Sequence, residues 1–144
     1  MFRRREITLV RYLRDCAGPS PRFWDEAWRN SPTDLDALAA QTDPRLVRKC
    51  AEYLPPQATI LEGGCGSGSY LAAFSKLGHR VVGVDFAPQT VARLNALFPA
   101  FDVRQGDIRR LPFDADSFDA YYSGGVVEHF QDAFNRKSRR LGAC

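Results

Sequence analysis

No long hydrophobic run occurs in this sequence. The first apolar stretch, Ile7–Val10, is followed at once by Arg11 and Arg14. It is too short for a secretory leader and far too short to cross a bilayer, so no membrane contact is expected. Cysteine is present but scattered. Cys16, Cys50, Cys65 and Cys144 form no C-x-x-C pair, and the two histidines, His79 and His129, lie far apart. Neither a zinc site nor a disulfide framework is implied, and free thiols fit a reducing, cytoplasmic setting. A strong charge imbalance is also lacking. The net charge is +3, and the excess sits at the ends, in Arg3, Arg4 and Arg5 and again in Arg136, Lys137, Arg139 and Arg140. Solvated helix faces explain such clusters better than a polyanion site, so a nucleic-acid partner is not expected.

What is present is an ordinary apolar fraction, 44% over 144 residues, enough for one domain with a core. The front of the chain reads as helices. Ile7, Val10 and Leu13 recur at helical spacing before Gly18-Pro19. Ser20-Pro21 supplies a cap and first helical residue for a helix carrying Phe23, Trp24, Ala27 and Trp28. Thr33 caps a third helix with Leu35, Leu38 and Ala39 on one face. Asp43-Pro44 opens a fourth, with the stripe Leu46, Val47, Cys50, Ala51 and Leu54, ended by Pro55-Pro56.

After this helical cap (residues 1–56) the pattern changes. Thr59-Ile60-Leu61 reads as a strand, then a glycine loop, then a helix with Leu71, Phe74 and Leu77 inward and Gly78 at its C-terminal end. Arg80–Asp85 is a second strand. Pro88 opens a helix with Val91, Leu94 and Leu97 inward. Phe101–Gln105 and Phe118–Ser123 are the third and fourth strands. Alternating strands and helices predict an α/β fold with a parallel sheet over residues 57–144.

The glycine loop narrows the chemistry. A strand entering a glycine loop and then a helix is a general nucleotide site. The dinucleotide fingerprint needs G-x-G-x-x-G, but Ser69 stands where the third glycine belongs, and the loop runs Gly64-x-Gly66-x-Gly68. No Walker lysine follows. Glu62 precedes the loop, and a carboxylate there repels a pyrophosphate. It suits a ligand without phosphate that carries an ammonium and a sulfonium, as S-adenosylmethionine does. Asp85 closes the second strand at the distance expected of a ribose-binding acid. At that strand end its replacement is expected to weaken ligand binding with little effect on stability. Asp107 follows the third strand, where its carboxylate can accept from an adenine amino group. Phe86 and Ile108 can flank the ring, or simply belong to the core.

These residues together carry a resemblance. Ile60-Leu61-Glu62-Gly63-Gly64-Cys65-Gly66-Ser67-Gly68, Val82-Gly83-Val84-Asp85, Gly106-Asp107 and Phe118–Ser123 with Val127-Glu128-His129 occur in order. From Ala58 to about Phe130 the chain resembles class I, Rossmann-like methyltransferases, nearest to the small-molecule branch that includes quinone-biosynthesis enzymes. The resemblance implies S-adenosylmethionine as cofactor and a sheet in the order 3-2-1-4. It places Glu62, Gly64, Gly66, Gly68, Asp85, Phe86, Asp107, Ile108 and Ser123 at the cofactor. His129, at the exit of the fourth strand, becomes the candidate general base. The family sheet has seven strands, and four are read here. The later ones are missing, as in a truncated chain, which leaves the fourth strand an open edge suited to pairing with another copy.

The same exit reads Ser123-Gly124-Gly125-Val126. It lacks the Pro-Pro-aromatic motif of enzymes that methylate exocyclic amines, so the expected acceptor is an oxygen or carbon of a small molecule. Trp24 and Trp28, four residues apart, form part of a lid over the site or simply pack the helical cap on the sheet. A non-catalytic S-adenosylmethionine-binding module is the alternative function. A nicotinamide dehydrogenase is disfavoured by the glycine spacing and by Glu62.

Overall fold

The computed structural model describes residues 20–126 and residue 129. The predicted first helix and the apolar stripe that begins at Phe130 lie outside these residues. Three short helices come first: α1 (Pro21–Trp28), α2 (Leu35–Ala39) and α3 (Pro44–Ala51). Then follow β1 (Thr59–Gly63), α4 (Ser69–Lys76), β2 (Arg80–Asp85), α5 (Pro88–Leu97), β3 (Asp102–Gln105) and β4 (Ala120–Tyr122). All pairings are parallel and the strand order is β3-β2-β1-β4, as expected for the Rossmann-like fold. Among the described residues no helix is long and apolar enough to cross a membrane.

Local chemistry sets the boundaries. Ser20 caps α1, its hydroxyl accepting from the Phe23 amide at 3.3 Å, with Pro21 in the first turn. The cap of α2 is Asp34 rather than Thr33. The Asp34 carboxylate accepts from the Ala37 amide at 2.9 Å, and a carboxylate is the stronger cap. Helix α3 stops at Ala51, and Leu54 reaches the core from the turn that follows. Leu46 is largely outside that core. Two other residues expected inward also sit at the surface. Leu77 is the C-cap of α4, where the backbone leaves helical geometry, and Leu97 lies in the last turn of α5. Gly78 ends α4 in the left-handed conformation at φ 85°, and its amide returns to the Ser75 carbonyl.

The core lies between the sheet and one helical layer. Ile60, Val81 and Val103 project from the strands onto Leu71, Phe74, Val91 and Leu94. Leu38 and Val47, from the early helices, are buried in this same core. Helix α2 packs on α4, and α1 packs on α5. Two polar ties fix α1. The buried Asp25 carboxylate accepts from the Thr90 amide at 2.8 Å and from the Thr90 hydroxyl at 3.1 Å. Helix α5 has no side-chain cap of its own, so Asp25 serves as a cap delivered from another helix. From α5, Arg93 donates back to the carbonyls of Ser31 and Pro32, just beyond α1.

The third and fourth strands are shorter than expected. Phe101 closes a turn with Phe98 instead of opening β3, and the two rings stack at 5.1 Å. At β4, Phe118 packs edge-on to Phe113. Ser123 turns its hydroxyl onto the Gly63 carbonyl at 2.8 Å rather than extending the ladder. Among the described residues β4 pairs only with β1.

Candidate functional site

Parallel strands deliver their C-terminal ends to one crevice. The register places Gly63 beside Val84, and Asp85 beside Gln105. Glu62, Asp85 and Asp107 therefore line one rim in the order of β1, β2 and β3.

Glu62 is buried, and its Oε2 atom has no hydrogen-bond partner among the described residues. Burial pushes its carboxyl well above the usual range, opposed by a hydrogen bond from the Leu71 amide and reinforced by the nearby Asp85. A buried acceptor with no donor is costly unless something else supplies the donor. Cys65 sits between these acids. Burial, then Glu62 and Asp85, push its thiol up, so it is a neutral packing group.

The loop is drawn inward onto β2. The amides of Gly64 and Cys65 both donate to the Val84 carbonyl, at 2.7 and 3.2 Å. The Gly66 amide donates to Asp85 Oδ2 at 2.8 Å, and the Gly68 amide to the Cys65 carbonyl at 2.8 Å. Four loop amides are thus engaged inside the chain. A phosphate-binding loop aims its amides at the ligand, and these four are turned away. Gly66 lies at φ 48°, and a Cβ there would come 2.8 Å from Cε2 of Trp28. That position needs glycine for both conformation and space.

Asp85 is buried and works on two amides, Gly66 through Oδ2 and Ala87 through Oδ1, the latter at 2.9 Å. Burial raises its pKa, against these amides and with Asp25 adding to the rise. Each oxygen keeps a second lone pair for a hydroxyl. Phe86, directly after it, is 42% exposed, unusual for a large apolar ring beside a buried acid. Ile108 is half-buried at the end of the neighbouring strand.

Asp107 is half-buried and already committed. The Arg109 guanidinium clamps both carboxylate oxygens, at 2.6–3.0 Å, and the Arg109 amide adds a bond at 2.9 Å. The guanidinium holds the Asp107 carboxyl below the usual range. The same guanidinium balances its charge. Ser123 ties the end of β4 to the end of β1 through the Gly63 carbonyl, so its hydroxyl proton is spoken for.

His129 lies exposed at the far side of the loop. Its amide donates to the Val126 carbonyl at 3.0 Å, and its ring meets Trp24 edge-on at 5.1 Å. Trp24 in turn stacks on Trp28 at 6.1 Å. The two tryptophans therefore run from the glycine loop to His129. Sequence pattern left Trp28 undecided because helical spacing reports the face of a residue, not what the face meets.

The family follows from this loop and its order of strands. Residues 61–141 match a methyltransferase domain family, more than half of the 144-residue chain. The chain belongs to the class I S-adenosylmethionine-dependent methyltransferases. Within that family it is 33% identical over 116 residues to a ubiquinone biosynthesis O-methyltransferase of Xanthomonas axonopodis, covering 77% of this chain and 46% of the relative. It is 32% identical over 93 residues to a malonyl-acyl-carrier-protein O-methyltransferase of Erwinia billingiae, covering 60% of this chain and 37% of the relative. Among solved structures, a TehB-like methyltransferase of Corynebacterium glutamicum superimposes with a TM-score of 0.54 at 28% identity, over 73% of this chain and 54% of that one. The chain spans less than half the length of the curated relatives it matches.

Proposed function

We propose that this chain binds S-adenosylmethionine and serves an enzyme that methylates an oxygen or carbon of a small molecule. The observation that carries the reading is the partnerless Oε2 of buried Glu62, beside a loop whose amides are turned inward. Such a site rejects phosphate and asks for a cation. The similarity to enzymes named as O-methyltransferases supports an oxygen acceptor.

The residues fit the cofactor in parts. Glu62 meets the ammonium, and its ionised form is then stabilised where burial alone disfavours it. Asp85 accepts the ribose hydroxyls on the lone pairs that Gly66 and Ala87 leave. Phe86 and Ile108 flank the adenine, and Asp107 accepts its amino hydrogens while held by Arg109. Glycine at positions 64, 66 and 68 lets the ligand approach the backbone, and Ser123 keeps the ends of β1 and β4 together. When bound, the cofactor supplies a methyl group on a sulfonium, already a good leaving group. The protein's share is positioning and exclusion of water. Trp24 and Trp28 wall the site on one side, and His129 stands beside them to take a proton from an acidic acceptor.

Calorimetry with S-adenosylmethionine, S-adenosylhomocysteine and NAD tests this. The two S-adenosyl ligands are expected to bind and NAD to bind weakly or not at all. Tighter binding of NAD overturns the reading.

A further inference from the structure

Trp28 sits where a ligand of this loop must pass. Its Nε1, Cε2 and Cζ2 atoms are the ones nearest to Gly66, so the edge that carries the indole N–H abuts the loop. Among the described residues no acceptor is bonded to that N–H. Gly66 is itself bonded to Asp85, and Cys65, the residue before it, feels the charges of both Glu62 and Asp85. Trp28 therefore faces the stretch of loop between the two acids.

Part of the loop's donors is already used. An S-adenosyl ligand whose ammonium meets Glu62 brings a carboxylate on the same carbon. That carboxylate needs hydrogen-bond donors, and it stands close to the Glu62 charge. The amides of Gly64, Cys65, Gly66 and Gly68 are already committed to Val84, Asp85 and Cys65. The Ser67 hydroxyl is paired with that of Ser69 at 2.7 Å. The indole N–H is a strong donor with no acceptor role to compete.

We propose that Trp28 is a cofactor-binding residue whose Nε1–H donates to the amino-acid carboxylate of the S-adenosyl ligand. Asp25 and Arg93 are its positioning residues, because they tie the middle of α1 and the turn just after it to α5. The proposal rests on the cofactor reading above and adds the recognition of one functional group to it.

The test uses the 144-residue chain, two ligands and one conservative variant. Trp28→Phe keeps an aromatic ring on Gly66 and removes the donor. S-adenosylhomocysteine has the amino-acid carboxylate, and 5′-methylthioadenosine lacks the whole amino-acid end. Calorimetry is expected to show S-adenosylhomocysteine weakened about tenfold by Trp28→Phe, as for a lost hydrogen bond to a charged group. Binding of 5′-methylthioadenosine is expected to be unchanged. Equal losses for both ligands, or no loss for either, overturn the proposal and leave the cofactor reading intact. Failure of the unaltered chain to bind either ligand overturns both.

A second measurement keeps Trp28 itself and does not depend on the Trp28→Phe variant. Trp24 and Trp28 are the 2 tryptophans of the chain. In Trp24→Phe, emission comes from Trp28 alone, and it is expected to change on addition of S-adenosylhomocysteine far more than with 5′-methylthioadenosine. An emission that ignores a bound ligand overturns the contact.

Discussion

Glu62 and Asp107 end strands of one sheet and open on one crevice, yet their surroundings are opposite. Glu62 is sealed from water, one of its oxygens lacks a partner among the described residues, and its pKa is pushed up. Asp107 is half-exposed, clamped by Arg109, and its pKa is pulled down. Asp85, on the strand between them, is buried like the first and hydrogen-bonded like the second. The difference shows how one rim can read a long ligand. The bare acid discriminates by charge, because its ionised form asks for a cation where burial opposes it. The neutralised acid can discriminate only by shape and hydrogen bonding.

The largest effect is expected at the bare end. Glu62→Gln keeps the size and removes the charge, so S-adenosylhomocysteine should bind about a hundredfold more weakly, as when one partner of a buried ion pair is lost. The same change should raise the melting temperature. A carboxyl whose folded pKa lies above its unfolded pKa binds more protons when folded. Stability is therefore lost as pH rises from the unfolded value toward the raised one. At neutral pH a glutamine escapes that loss. Calorimetry and a thermal scan on the same sample check both halves. A variant that binds normally breaks the comparison at its strong end.

A pH profile sharpens it. In the free chain burial shifts Glu62 toward its protonated form, and an arriving ammonium shifts it back. Binding should thus release a proton, and affinity should climb with pH until Glu62 is ionised in the free chain. Calorimetry in buffers of different ionisation enthalpy reads the proton directly. Uptake of a proton, or none across the range, contradicts the assignment.

Asp85 comes next, with about tenfold or more lost from affinity in Asp85→Ala, since two hydroxyls lose a charged acceptor. Stability should fall as well, by about 1–3 kcal/mol, because the amides of Gly66 and Ala87 lose their acceptor. The sequence alone led to the expectation of little change in stability. A strand-end acid looks dispensable until the loop is seen to fold back onto it, and such a contact between residues 66 and 85 leaves no local pattern. Asp25 was hidden for the same reason. Its partner Thr90 lies 65 residues away. By contrast, β2 was legible to the residue, because a buried strand between two turns is written in its own apolar run. The strand order was legible only through the family resemblance carried by Glu62, the glycines and Asp85. The limits of β4 were not, since Ser123 leaves the ladder for a side-chain bond. Asp25→Ala, which leaves the Thr90 amide without its acceptor, should cost about 1–3 kcal/mol in denaturant unfolding. A loss near zero means that α1 is not held at this point.

The smallest effect is expected at Asp107, and its smallness is the informative part. If acids on this rim acted through charge alone, Asp107→Ala would rival Asp85→Ala. The guanidinium of Arg109 already balances Asp107 at contact distance, so the pair presents little net field to a ligand. Water also reaches both partners and screens what remains. What the ligand can gain is one neutral hydrogen bond from an adenine amino group, on the order of 0.5–1.5 kcal/mol, or roughly two- to tenfold in affinity. Asp107→Ala should therefore weaken S-adenosylhomocysteine by less than Asp85→Ala does. Replacing adenine by hypoxanthine in the ligand, which removes the amino donor, should cost the unaltered chain more than it costs Asp107→Ala. Equal penalties from the base change in both proteins would place the adenine amino group elsewhere and leave Asp107 a partner of Arg109 alone.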